Sequence, residues 1–303
     1  MDVTPGTTAL PAEAAALGGM RQIVSDYVQL TKPKVQSLLL LTTVCAMEVA
    51  GSPSIGLILA TVIGGYFSAG GSGAINHWYD RDIDARMERT ADRPVPSGRV
   101  SPGAALTFGL ALGVLSLVWL SVLVNPLSAA ISFTGFVGYS VGYTMLLKRR
   151  TWQNIIWGGA AGAVPPLVGW AAVTGSLNGL SLYLFAIVFF WTPPHFWALS
   201  LLMKDEYAKV NVPMLPVVRG EDETRKQILL YTVLLYAVTQ LPFSAHGFGV
   251  LYLVASLGLN AAFIWLAVQL RKRADRAAAL RLYLYSLLYL AALFAAMVID
   301  VHI

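Results

Sequence analysis

The sequence predicts an all-α polytopic membrane protein: nine transmembrane helices around a central cavity, capped on the cytoplasmic side by helical loops. Three observations predict it. The 303-residue chain is 56% hydrophobic and only 12% charged, where a soluble domain carries about a quarter of its residues charged. Apolar runs of about 20 residues, long enough to cross ~30 Å of hydrocarbon, recur from end to end. All 21 Lys and Arg residues fall in one set of connections between those runs, as the positive-inside rule requires. The one cysteine, Cys45, lies in an apolar run and reads as a small buried residue; a disulfide scaffold, a zinc cluster and a CxxC redox site are excluded within the chain.

The elements follow in order. The first twenty residues hold two acids and no Lys or Arg, which fits neither a secretory signal nor a transit peptide. Residues 1–30 are therefore expected to be a loose cytoplasmic tail, and 31–303 the membrane domain of a bacterial protein. Spans are expected near 35–53, 55–77, 103–124, 127–147, 153–173, 179–202, 228–244, 248–270 and 282–300. The seventh is the weakest, because Gln240 and Pro242 shorten it.

Between these spans the basic residues are Arg21, Lys32 and Lys34 before the first; five Arg in 78–102; Lys148, Arg149 and Arg150; five in 203–227; and five in 271–281. The opposite connections, "GSPS", "NP", "TGSLNG", "SAHG" and the tail "DVHI", hold none. This places the N-terminus in the cytoplasm and the C-terminus in the periplasm, in the bacterial inner membrane. The pI of about 9.3 is explained by orientation and lipid headgroups. The lipid bilayer is the expected partner and nucleic acid is not.

Two cytoplasmic loops mix acids with bases. The loop at 78–102 opens with "NHWYDRDIDARMERTADRP" (76–94), in which Asn76, Asp80 and Asp84 are spaced four apart. On a helix such residues share a face, ~6 Å apart at Cβ, and two carboxylates so placed repel unless a cation lies between them. The spacing fits a solvated helix end with pairs such as Asp82–Arg86. It fits equally a Mg²⁺ site, since Mg²⁺ takes one or two carboxylates and completes its shell with waters and phosphate oxygens. Arg89, Arg93 and Arg99 are near enough in sequence to hold phosphate. The loop at 203–227 follows a span four later, a spacing that hints at a repeat of four-helix units.

"NHWYDRDIDARMERTADRP" resembles the first aspartate-rich motif, NxxxDxxxD followed by [KR]TxxRP, of the UbiA-type intramembrane prenyltransferases. "LTKPKV" (30–35), "YTMLLKRRTWQNIIWGGAAGAVPPLVGW" (143–170) and "WTPPHFWALSLLMKDEYAKVNVPMLPVV" (191–218) resemble the protoheme IX farnesyltransferase (heme O synthase) branch. The resemblance runs from about Thr31 to the last helix. It implies transfer of farnesyl from farnesyl diphosphate to a vinyl group of heme b, with Mg²⁺ as the metal. It leaves open which vinyl is modified and whether heme A synthase takes the product onward.

Carried over by position, the resemblance makes Asn76, Asp80 and Asp84 the catalytic metal ligands and Arg89 and Arg93 diphosphate contacts. Lys148 and Arg149 are either further diphosphate contacts or positive-inside anchors. Tyr143 donates to the leaving group or belongs to an interfacial aromatic belt. In the second loop most of the superfamily shows DxxxD; here Met203 and Tyr207 occupy those positions, and Asp205 is expected to hold a second metal, with Glu206 on the surface.

His195 lies inside the sixth span, where an ionisable residue is a functional hypothesis by default. It is assigned to the acceptor pocket with Asn154, Trp191 and Tyr207, as an axial iron ligand or a propionate contact; the alternative is a histidine hydrogen-bonded within the bundle near the Pro193–Pro194 kink. Trp157, Trp170 and Trp191 are candidates for facing a cation. Gly158, Gly159 and Gly162 suggest close helix packing, with void space for substrate as the alternative. His77 is expected to face headgroups or solvent, and Glu48 the outer interface. A quinone-type prenyltransferase and a transporter are the rival readings. The first is expected to keep the second DxxxD and lack "PPHFW", and the second to place charges near the midplane.

Overall fold

A computed structural model describes residues 12–303, with side chains from Gly19. The remainder of the expected tail lies outside the described residues. Among the described residues every regular element is a helix, joined by turns, and eight helices are long and apolar enough to cross a membrane. The remaining expected span, the first in chain order, is α2 (Pro33–Ala50), 18 residues and shorter than those eight.

The expected loose tail is corrected from residue 12 onward. α1 (Ala12–Leu30) is a helix, with Leu30 and Asp26 buried and Arg99 holding Asp26 at 2.9 Å. Thr31 ends it, bonding Val28 O and the Tyr66 hydroxyl. Lys32 then takes a left-handed conformation, φ 55°, ψ 56°, and Pro33 starts α2, where its missing N–H costs nothing.

α3 (Ile55–Tyr79) packs along α5 (Pro102–Leu123). Glycines permit the approach: a Cβ on Gly71 would lie 2.6 Å from Gly109 O, so the two backbones touch where side chains would hold them apart. Between them the chain makes a single short helix, α4 (Arg81–Asp84), and a series of turns. The fourth span is α6 (Pro126–Val137), which widens into a π-helix over Gly138–Leu147. The fifth divides at Ala163 into α7 (Asn154–Gly162) and α8 (Val164–Thr174), because Pro165 and Pro166 cannot continue the bonding of α7.

α9 (Gly179–Leu202) runs through Pro193–Pro194. The second charged loop holds α10 (Lys204–Lys209) and α11 (Leu215–Val218). α12 (Gly220–Ser244) begins eight residues before the expected span and includes Pro242. α13 (Val250–Arg273) and α14 (Arg276–His302) complete the bundle. α9 packs on α12 and α14, and α14 on α2, closing the ring. One buried core cluster joins α2, α9, α12, α13 and α14 to Ile83 and Met87 of the cap. Outer faces carry exposed Leu59, Val114, Val122, Val254 and Leu288, the apolar band a bilayer requires.

Candidate active site

The NxxxDxxxD residues meet at one end of α3. Asp80 caps α3, and the hydrogen bonds Asp80 N→Asn76 O and Asp84 N→Asp80 O, 2.9 and 2.8 Å, carry the helical register across into α4. Asn76, Asp80 and Asp84 are therefore stacked on one face as the spacing predicts, and all three are buried. A buried carboxylate needs cations and donors around it. Asp80 accepts from Lys148 and from Asn76 Nδ2 (2.7 Å) on Oδ2, and from Arg149 (3.3 Å) on Oδ1. Arg93 holds Asp84 Oδ2 at 2.6 Å. Arg149 grips Asp82 through both terminal nitrogens, 2.6 and 2.8 Å, and lies over the Tyr79 ring.

Lys148 and Arg149 thus belong to this cluster: the structure brings them from the end of the π-helix onto Asp80. The Arg149 hydrogen bonds hold the Asp82 carboxyl below its usual range, and Asp82 raises the guanidinium. Arg99 is drawn away to Asp26 and Asp92. Arg89 is exposed and makes no hydrogen bond or ion pair among the described residues, which leaves its guanidinium available to a ligand.

Four participants were missed by sequence reasoning. Lys32, from the α1–α2 turn, donates to Asn76 Oδ1; enclosure of its ammonium, with Arg93 and Lys148 close by, lowers it to about 7. His77 is buried, not facing headgroups or solvent, and lies within electrostatic reach of Lys32, Arg93 and Lys148. Tyr139 is near Asp80 and Asp84 and packs its ring 5.4 Å from Tyr143. Glu206 accepts from the backbone N of Glu88 at 2.8 Å and pairs with Lys209, tying the two charged loops together. "LTKPKV" alone offered a signal, for Lys32.

The second loop departs from its expected use. Asp205 is exposed and makes no hydrogen bond or ion pair among the described residues. Tyr207 is buried instead and feels Arg89, Arg93, Asp80 and Asp84; burial pushes its hydroxyl pKa up. A neutral phenol therefore stands beside the carboxylates where most of the superfamily is expected to have an acid.

Deeper in the bundle, His195 lies seven residues before the end of α9, about 10 Å inward at 1.5 Å per residue. Its ring stacks on Trp191 (4.3 Å) and Tyr283 (5.0 Å), and Nδ1 is 2.7 Å from Ser286 Oγ. Asn154 is buried and donates to Lys148 O, with its own Oδ1 unpartnered. Trp170 and Trp191 are buried, but Trp157 is 61% exposed on the outer face and cannot line the interior. Gly158 and Gly159 are close-packing positions, against Tyr143 and Thr192, whereas Gly162 has open space.

The residues fit Mg²⁺. Their donors are hard oxygens: two carboxylates and one amide on a single face. No group of three or more His, Cys, Asp or Glu forms a metal cage among the described residues. That suits an ion which relies on substrate phosphate for the rest of its shell. Lys32, Arg89, Arg93, Lys148 and Arg149 outnumber Asp80, Asp82 and Asp84, so the site as a whole favours a polyanion.

The profile of the UbiA prenyltransferase family matches residues 38–295. The chain belongs to that family. Proteins named protoheme IX farnesyltransferase are similar over most of its length. The one from Chloroflexus aurantiacus is 54% identical over 282 residues, 92% of this chain and 48% of the relative. The one from a Nocardioides species is 47% identical and covers 98% of each chain. The chain thus spans about half the length of the first curated relatives it matches. Among solved structures, digeranylgeranylglyceryl phosphate synthase superposes with a TM-score of 0.76 at 19% identity, covering 91% of this chain and 98% of that one. A UbiA homolog from Archaeoglobus fulgidus bound to GPP and Mg²⁺ gives 0.66 at 16%, covering 90% and 99%. These likenesses establish the UbiA fold for the bundle.

Proposed function

We propose that this chain transfers the farnesyl group of farnesyl diphosphate to a vinyl group of protoheme IX (heme b), with addition of water, giving heme O and diphosphate. The observation that carries the reading is the buried Asn76–Asp80–Asp84 face ringed by Lys148, Arg149, Arg93 and Lys32. The names of relatives that match the whole chain supply the acceptor.

Arg89, Arg93, Lys148 and Arg149 bind diphosphate oxygens, and Tyr143 donates a hydrogen bond to the leaving group. Mg²⁺, when held by Asn76, Asp80 and Asp84, supplies charge that stabilises the departing diphosphate. Asp205, exposed as it is, is not assigned a second ion. The allylic C–O bond breaks with its electron pair going to diphosphate. The vinyl π electrons form the new C–C bond to the farnesyl carbon. Water adds to the resulting cation and releases a proton, leaving the hydroxyethylfarnesyl group. Cations at this site are stabilised by preorganised groups and protected by exclusion of water. Buried Trp170 and Trp191 are the aromatic faces available for that purpose.

The setting is the bacterial inner membrane, with the N-terminus and the diphosphate site cytoplasmic and the C-terminus periplasmic. Purified protein incubated with Mg²⁺, farnesyl diphosphate and either heme b or 4-hydroxybenzoate tests the acceptor. Mass spectrometry is expected to find the farnesyl adduct of heme plus water. Farnesylated 4-hydroxybenzoate with unchanged heme overturns the assignment.

A further inference from the structure

The hydrogen bonds around His195 fix which ring nitrogen carries its proton. Ser286 Oγ lies 2.6 Å from the carbonyl oxygen of Tyr283. A carbonyl oxygen only accepts, and two oxygens that close need a proton between them. The single hydroxyl proton of Ser286 is therefore committed to Tyr283. Toward His195 Nδ1, 2.7 Å away, Ser286 can only accept, so Nδ1 bears the ring proton. In the neutral imidazole the other nitrogen, Nε2, is then the lone-pair acceptor.

The surroundings hold this arrangement in place. Ser286 is fully buried on α14. Its backbone carbonyl accepts the indole N–H of Trp191 at 2.8 Å, and Trp191 in turn stacks on His195. Tyr283, whose backbone carbonyl accepts the serine hydroxyl, also stacks on the ring. Nε2 is the one polar ring atom with no partner among the described residues, and His195 as a whole is only half-buried. A contact to a propionate carboxylate would need an N–H at Nε2, and this tautomer has none there. A Lewis acid in the ring plane is what the lone pair suits.

We propose that Ser286 is a positioning residue that fixes the Nδ1–H tautomer of His195, making Nε2 the axial electron-pair donor to the iron of the porphyrin acceptor. This rests on the reading of heme b as acceptor. It selects iron ligation over a propionate contact and gives Ser286 a role in the site. Hydrogen bonds of this kind to a ligating imidazole orient the ring and raise its basicity, and losing one typically lowers metal affinity by about tenfold or more.

The test is heme b binding to the purified protein without farnesyl diphosphate, read by absorption titration and by the iron–histidine stretch in resonance Raman of the ferrous complex. Wild type is expected to show histidine ligation, His195→Ala to lose it, and added imidazole to restore it. Ser286→Ala is expected to weaken heme binding by about tenfold and lower the stretching frequency, while farnesyl diphosphate binding stays at the wild-type level. Ser286→Thr keeps the hydroxyl and is expected to retain both heme properties. Wild-type affinity and frequency in Ser286→Ala, or a histidine signal surviving His195→Ala, overturns the assignment and leaves farnesyl transfer to heme standing. Failure of wild type to bind or farnesylate heme b overturns both.

Discussion

Replacing Lys148 by methionine is expected to strengthen Mg²⁺ binding in the absence of diphosphate, although it removes a residue of the diphosphate site. The Lys148 ammonium is bonded to Asp80 Oδ2, Asp80 is fully buried, and the lysine side chain is 14% exposed. A metal ion reaching Asp80 must displace that ammonium. A hydrogen bond between charged groups is worth about 1.5–3 kcal/mol net, and each 1.4 kcal/mol is tenfold. Two unit charges about 4 Å apart at an effective dielectric of 20 give ~4 kcal/mol as an upper bound. Methionine keeps the apolar stem and drops the charge, so Mg²⁺ alone is expected to bind about 10–100-fold more tightly. With inorganic diphosphate present the order reverses, because Lys148 is then free to bind the anion and its loss costs affinity. Calorimetric titration of Mg²⁺ into both proteins, with and without diphosphate, measures the two arms. Equal or weaker Mg²⁺ binding by Lys148→Met without diphosphate refutes the competition between ammonium and metal.

The double variant Asp80→Ala, Asp84→Ala is expected to lower product formation by at least about a thousandfold, as loss of an electrostatic leaving-group site does; heme O formed at the wild-type rate contradicts the metal assignment. Gly158→Val puts a Cβ 2.3 Å from Tyr143 Cδ2, and such overpacking costs about 1–3 kcal/mol, to be read as a fall in thermal midpoint in detergent. Glu206→Gln is expected to raise KM for the diphosphate substrate several-fold by loosening the two loops, whereas Asp205→Asn leaves it unchanged; equal effects would dismiss the loop tie. The Glu206 carboxyl lies below its ordinary value of 4.5 because Lys209 and Glu88 N stabilise the anion. Its contribution is therefore fully present above 4.5 and lost as pH falls through the depressed value. A pH profile of activity should show no step from this group at neutral pH.

Much of the site was legible because its core is local. Asn76, Asp80 and Asp84 are four apart, and helical geometry alone stacks them. Lys148 and Arg149 were legible as candidates only through resemblance, since nothing in their spacing points to Asp80, 68 and 69 residues away. Lys32 reaches Asn76 across 44 residues and Glu206 reaches Glu88 across 118, and no periodicity reports such partners. Asp205 and Glu206 are adjacent acids on a short helix, so which one turns toward the first loop depends on how α10 sits.

Composition, run length and charge asymmetry by themselves determined an all-helical membrane bundle: hydrocarbon admits only helices and closed barrels, and unbroken apolar runs of about 20 residues suit helices, not the shorter strands of a barrel. The same reading located the aspartate-rich end of α3. Only the tertiary structure decided which face of each helix looks inward. It buried His77, exposed Trp157, and built α1 where a loose tail was expected. It also set Ser286 against His195, 91 residues apart. An apolar helix in a membrane has few polar residues to mark its inner face, so packing among helices, and not their sequence pattern, chose these contacts.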